Sequence, residues 1–195
     1  MSFKLNKHKS LGLKQGSEYW QDANGVIFCD PIDQSNMIGG GHEEGRNTLE
    51  NPIRLERIKQ LLPEGGNLLD FGCGNGMLVQ FLIENGISAY GYDKFNPMYS
   101  ELLSGYDMVT MIEVIEHLHE PFEEMDLIFN AMNSGAKIMI ETSFTDWLTL
   151  SDDYINPLAG HHCVWSHEGL KQMMESKGFV VDGHFNRNVQ VYKKP

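Results

Sequence analysis

At 195 residues and 22.1 kDa, with 41% hydrophobic and 22% charged side chains, the chain suits one ordinary domain with a small lid or cap, which excludes wholesale disorder. Fifteen Lys and Arg against 27 Asp and Glu leave a formal charge of −12. A body this acidic repels phosphate backbones at long range, so nucleic acid is a poor candidate partner.

The opening stretch MSFKLNKHKS carries charge but no apolar run, unlike a secretory signal. No segment approaches 18 consecutive apolar residues, so no spanning helix is expected. Cys29, Cys73 and Cys163 lack metal-type spacing and fit free thiols in a reducing cytoplasm. Residues 1–50 are rich in Gly, Asn and Asp, and Val26-Ile27-Phe28 is a short apolar run among them. An irregular N-terminal cap is expected there, with GGGHEEG (39–45) a mobile loop.

From Asn51 onward the pattern is regular. NPIRLERIKQLLP spaces its apolar residues as a helix does, with Pro52 near the start and Pro63 as the stop. NLLDFG (67–72) reads as a buried strand, GMLVQFLIENG (76–86) as a helix, and SAYGYD (88–93) as a second strand. YDMVTMIEV (106–114) is a third strand, residues 121–133 a helix, and KIMIETS (137–143) a fourth strand. SHEGLKQMMESKG (166–178) is a helix capped by Ser166 and stopped by Gly178. FVVDGHF and NVQVYKK form a strand pair joined through Asn186 and Arg187. Alternating strands and helices imply a doubly wound α/β fold, a mostly parallel sheet with an antiparallel C-terminal edge.

Asp70-Phe71-Gly72-Cys73-Gly74-Asn75-Gly76 lies between a strand and a helix, where glycines permit a tight turn and close backbone approach to a ligand. The spacing is not that of a dinucleotide fingerprint, because Met77 follows and Asp70 precedes. An acid there crowds a pyrophosphate but suits an ammonium group. Asp93, 23 residues after Asp70, ends the next strand where a carboxylate can hold a ribose diol.

D-x-G-x-G-x-G followed by a strand ending in Asp resembles the class I S-adenosylmethionine (SAM) methyltransferases over residues 51–185. The resemblance implies that Asp70, Phe71, Gly72, Cys73, Gly74, Asn75 and Gly76 hold the methionine part of SAM. It implies Asp93 on the ribose, Lys94 and Phe95 beside the adenosine, and Ile112 and Glu113 lining the cofactor. Asn51-Pro52-Ile53-Arg54-Leu55 is similar to the N-P-x-R-L segment of ubiquinone-pathway O-methyltransferases, which implies that Arg54 approaches the SAM carboxylate, with Arg46 a weaker candidate. The usual fold has seven strands, yet only 13 residues separate Asp93 from Asp107, too few for a strand and a crossover helix. A six-stranded sheet is therefore expected, with Phe95, Met98 and Tyr99 closing the adenine side.

Glu113-Val114-Ile115-Glu116-His117 places two carboxylates and an imidazole on one face of a helical turn. That set suits a divalent cation, an acid/base group, or a structural turn. It is similar to the E-x-x-E-H of ubiquinone-type enzymes and of small-RNA 3′-end 2′-O-methyltransferases. The second resemblance implies Glu113, Glu116 and His117 as ligands of Mg or Mn, with His161 the fourth and His162 its alternate. His117 and His161 are also the candidate catalytic bases. Residues 144–165, with Trp147, Tyr154 and Trp165, are expected to roof the methyl end of SAM as an insertion in a 51–195 domain. The leading expectation is a SAM-dependent methyltransferase acting on a hydroxyl of a small molecule or saccharide. The alternatives are a metal-dependent RNA ribose 2′-O-methyltransferase and a non-enzymatic SAM-binding module.

Overall fold

The computed structural model describes residues 4–30 and 44–195, the side chains of 44–48 excepted. The first helix, α1 (Glu44–Leu61), starts well before the expected Asn51 and carries Pro52 in its interior. Its buried positions are Asn51, Arg54, Leu55 and Ile58, a helical stripe that includes two polar residues. Pro52 lies on the exposed side, where the missing N–H costs least. Of the expected 39–45 loop, residues 39–43 lie outside the described residues. The Arg46 side chain also lies outside them.

Four parallel strands follow the expected order: β4 (Asn67–Phe71), β5 (Ser88–Tyr92), β6 (Tyr106–Ile112) and β7 (Met132–Glu141). Near the C-terminus, β9 (Val180–Asn186) and β10 (Val189–Lys193) form the antiparallel edge, giving the order β5-β4-β6-β7-β10-β9. The sheet has six strands, as the short 94–106 segment requires. That segment holds only a single 3₁₀ turn, Pro97–Tyr99, and leaves β5 as an edge strand. On one face, α1 and α2 (Met77–Glu84) cover Leu68, Met108 and Met139. On the other, α3 (Pro121–Ala131) and α4 (His167–Ser176) cover Leu69, Val109 and Ile138. Burial of such side chains stabilises by roughly 1.5–3 kcal/mol each before chain entropy is counted.

Within residues 4–30, regular strands stand where an irregular cap was expected. Strands β1 (Lys9–Lys14), β2 (Ser17–Gln21) and β3 (Ile27–Cys29) form an antiparallel meander, extended by β8 (Cys163–Val164). The β1–β2 turn uses Gln15 and Gly16, both with positive φ (50° and 87°), the geometry that matches strand twist in a two-residue hairpin. Tyr19, Ile27, Cys29, Ile155 and Val164 form a small core that clamps this sheet onto the 144–165 segment. Among the described residues no helix is long and apolar enough to cross a membrane.

Candidate cofactor and methyl-transfer site

The glycine turn is held from the neighbouring strand. Gly72 N–H donates to the Tyr92 carbonyl (2.7 Å), and Gly74 N–H donates to Asp93 Oδ2 (2.9 Å). Gly72, Gly74 and Gly76 all have positive φ, and a Cβ on Gly72 would lie 2.5 Å from Val114 Cγ2. Glycine is therefore required there twice, by backbone and by packing. Cys73 N–H shares the Tyr92 carbonyl, and Asn75 Oδ1 accepts from Met77 N–H as α2 begins. Phe71 is buried with its ring 5.0 Å from that of Tyr92. Tyr99 packs over this end: a Cβ on Gly76 would lie 2.1 Å from its hydroxyl. The second Asp93 oxygen accepts from Phe95 N–H (2.9 Å), so each oxygen retains acceptor capacity.

Asp70 is 5% exposed and accepts from the Thr110 hydroxyl at 2.8 Å. Burial pushes its carboxyl up to about 7; the Thr110 bond and the Arg54 charge pull it down, and Asp93 pushes it up. Arg54 itself is 2% exposed and bonds Glu141 Oε1 (2.6 Å) and Glu50 Oε2 (2.7 Å). Arg57 reaches the other Glu141 oxygen at 3.1 Å. Ile112 ends β6 and packs on the α1/α2 core. Lys94 pairs with Glu124 at 3.2 Å, and Phe95 is exposed.

After β6 the chain turns sharply. Glu113 has φ 52°, uncommon for a non-glycine residue and of the kind that clusters at functional sites. Its N–H donates to the Glu141 carbonyl (2.8 Å). A single 3₁₀ turn, Ile115–His117, follows. Tyr154, from the 144–165 segment, donates its hydroxyl toward Glu116 (2.5 Å) and lies 3.2 Å from Glu113. Thr142 adds a bond to Glu116 at 3.0 Å. Burial raises the Glu116 carboxyl and these hydrogen bonds oppose it.

His117 and His161 meet edge to face, ring centroids 4.7 Å apart. Burial, then the neighbouring His161 charge, pulls His117 down to about 4, and burial also lowers His161. Both imidazoles are therefore neutral at pH 7. His161 Nδ1 contacts the Tyr154 carbonyl, which assigns the proton to Nδ1 and leaves the Nε2 lone pair available. Glu116, His117 and His161 can bring one donor atom each within 4.8 Å of one another. Glu113 is not in that group but joins it through Tyr154. His162 instead faces His119, Nε2 to Nε2 at 3.1 Å.

Sequence reasoning missed Glu141, Thr142, His119 and Glu124. The paired spacing of His117 with His119 and of His161 with His162 was a usable signal for the His119–His162 contact. Nothing local marks Thr142 or Glu141.

Residues 46–184 match the methyltransferase-domain family. The ubiquinone biosynthesis O-methyltransferase of Hydrogenovibrio crunogenus is 27% identical over 164 residues, 71% of this chain and 64% of that protein. The Xanthomonas axonopodis pv. citri enzyme of the same name is 25% identical over 118 residues, 47% of this chain and 49% of its own. The chain thus spans between about half and just under two thirds of these relatives. Among solved structures, mitomycin 7-O-methyltransferase MmcR aligns with a TM-score of 0.59 at 12% identity, over 77% of this chain and 55% of that one. The Burkholderia thailandensis 1,6-didemethyltoxoflavin N1-methyltransferase, bound to its substrate and S-adenosylhomocysteine, aligns with a TM-score of 0.58 at 12% identity, over 95% and 99% of the chains. With the family match covering most of its length, the chain belongs to the class I SAM-dependent methyltransferases and resembles the ubiquinone-pathway O-methyltransferases.

Proposed function

We propose that the protein transfers the SAM methyl group to a hydroxyl oxygen of a small-molecule or saccharide acceptor in the cytoplasm. The observation that carries this reading is the neutral His117–His161 pair beside Glu116, at the same sheet edge as Asp70 and Asp93. In the proposed site Asp70 and the 72–76 turn hold the methionine part of SAM. Asp93 holds the ribose, and Phe95 lies beside the base. A neutral imidazole accepts the acceptor's hydroxyl proton while the oxygen attacks the methyl carbon in line. The carbon–sulfur bond breaks and its electron pair returns to sulfur, leaving S-adenosylhomocysteine. The sulfonium is already activated, so the protein's main contribution is orientation and proton removal.

The donor set of one buried carboxylate and two neutral imidazoles also fits a divalent cation, with Glu116, His117 and His161 as ligands and Glu113 behind them. The two imidazoles favour Mn over Mg. Such an ion would acidify a bound hydroxyl. This donor set also supports a second reading, a metal-dependent ribose 2′-O-methyltransferase acting on RNA, against which the −12 charge stands.

Calorimetric titration with S-adenosylhomocysteine tests the common core: binding is expected, and Asp93→Ala should weaken it at least tenfold. No binding at millimolar ligand would end both readings. In a methyl-transfer assay, loss of turnover with EDTA and rescue by Mn would select the metal route. Indifference to EDTA would leave His117 or His161 as the base.

A further inference from the structure

We infer that Tyr154 is a positioning residue for methyl transfer: by anchoring the stretch 154–160 it sets which nitrogen of His161 and of His117 carries the proton. The inference rests on the proposal that one of these imidazoles takes the acceptor's hydroxyl proton. His161 Nδ1 meets the carbonyl of Tyr154 itself, and the His117 ring donates to the Gly160 carbonyl. Both rings are thus tied to carbonyls of one short stretch. An imidazole that donates from one nitrogen presents a lone pair on the other, so these carbonyls decide which nitrogen can act as base.

The stretch is braced along its length. Around the 3₁₀ turn Pro157–Ala159, Asn156 Oδ1 accepts from Leu158 N–H (3.0 Å), and the Asn156 carbonyl accepts from His161 N–H (3.1 Å). Gly160 leaves that turn with φ 86°. Ile155 is fully buried in the small core beside Tyr19, whose hydroxyl reaches the His161 carbonyl at 3.4 Å. The Tyr154 hydroxyl ties this braced unit to the sheet edge. It donates to Glu116 (2.5 Å), accepts from Ser143 N–H (3.3 Å) and lies 3.0 Å from Thr142 Oγ1. Glu116 sits in the turn after β6, and Thr142 and Ser143 follow β7 directly. One hydroxyl therefore fixes the stretch to the ends of two strands, and the ring that bears it lies 4.4 Å from that of His161. A group that orients a base and fixes its tautomer governs turnover more than cofactor binding.

The test removes the hydroxyl and keeps both carbonyls, with Tyr154→Phe in the full chain. Nitrogen NMR of the imidazoles reads the tautomers directly, and His117→Gln and His161→Gln assign the two rings. In the wild-type protein His161 should carry its proton on Nδ1, and the Tyr154 hydroxyl proton should be protected from exchange. In Tyr154→Phe the His161 ring should shift to a mixture of tautomers. In the methyl-transfer assay kcat should then fall about tenfold to a hundredfold, with the KM for SAM and the affinity for S-adenosylhomocysteine unchanged. A His161 tautomer that Tyr154→Phe leaves intact would overturn the assignment, and so would a loss of turnover matched by an equal loss of cofactor affinity. The two wild-type signals need no variant: a proton on His161 Nε2, or an unprotected Tyr154 hydroxyl, would overturn it even if Tyr154→Phe fails to fold. The base reading beneath it fails separately, if His117→Gln and His161→Gln each leave turnover intact.

Discussion

At the scale of single residues, the proposed place of Asp70 beside the cofactor predicts a pH dependence. Its carboxyl is raised from an ordinary 3.8 to about 7, chiefly by burial. A carboxyl with a raised folded-state pKa contributes stability below its unfolded value and loses it as pH climbs toward the folded value. The free protein should therefore lose this contribution between about pH 4 and pH 7. Binding runs the other way, because the cofactor's ammonium group favours the carboxylate. S-adenosylhomocysteine affinity should rise from pH 6 to pH 8, and binding at pH 6.5 should release a proton. Calorimetry in two buffers of different ionisation enthalpy measures that proton directly, and Asp70→Asn should abolish it. A flat affinity profile would mean that Asp70 does not face the ammonium. Gly72 is the second sharp case. Gly72→Ala meets both a positive φ and Val114, and should cost about 2–5 kcal/mol by urea unfolding. Adding Val114→Ala should recover the packing share and leave the backbone share.

At the scale of elements, α4 begins at Ser166, whose hydroxyl accepts from Gly169 N–H and donates to the Asn24 carbonyl. One side chain thus starts a helix and pins the turn before β3. Ser166→Ala should lower stability by about 1–2 kcal/mol, toward the upper end for a cap, measured by the urea midpoint at unchanged slope. This cap was legible because Ser followed by an apolar period of 3.6 has one local meaning. The strands from β4 to β7 were legible for the same reason, since each is a short apolar run bounded by turn residues. The N-terminal meander was not. Its β1 carries no clean alternation of buried and exposed positions, β3 has three residues, and β8 has two. Such strands exist by pairing across the chain, which a local window cannot see. The start of α1 was hidden because Leu49 is the one large apolar residue in 44–50, too few to show a period, and Pro52 mimics a first-turn proline. The Glu113-Glu116-His117 cluster was legible as a local motif, but its Tyr154 and Thr142 partners lie 38 and 26 residues from Glu116 and left no mark in its spacing.

At the scale of the whole molecule, the question is what fixes α1 against the sheet edge that carries the site. Glu141, at the end of β7, accepts from Arg54 and Arg57 of α1, while its carbonyl accepts from Glu113 N–H. One residue therefore joins a helix on one face to the strained turn of the histidine cluster. A buried ion pair is weak evidence of net stability, but removing Glu141 leaves Arg54 with Glu50 as its carboxylate and takes the same partner from Arg57. Glu141→Gln should cost about 3–5 kcal/mol, with little dependence on salt because the pair is out of water. The double change Arg54→Met with Glu141→Leu should recover most of that loss. The double variant also separates two roles of Arg54. The N-P-x-R-L resemblance implies contact with the SAM carboxylate, whereas the arginine's bonds here run to Glu141 and Glu50. If Arg54 reaches the cofactor, the restabilised double variant should still bind S-adenosylhomocysteine at least tenfold more weakly than the wild type. If its affinity matches the wild type, Arg54 acts only to hold α1 on the sheet, and the SAM carboxylate must be met by the backbone of the glycine turn.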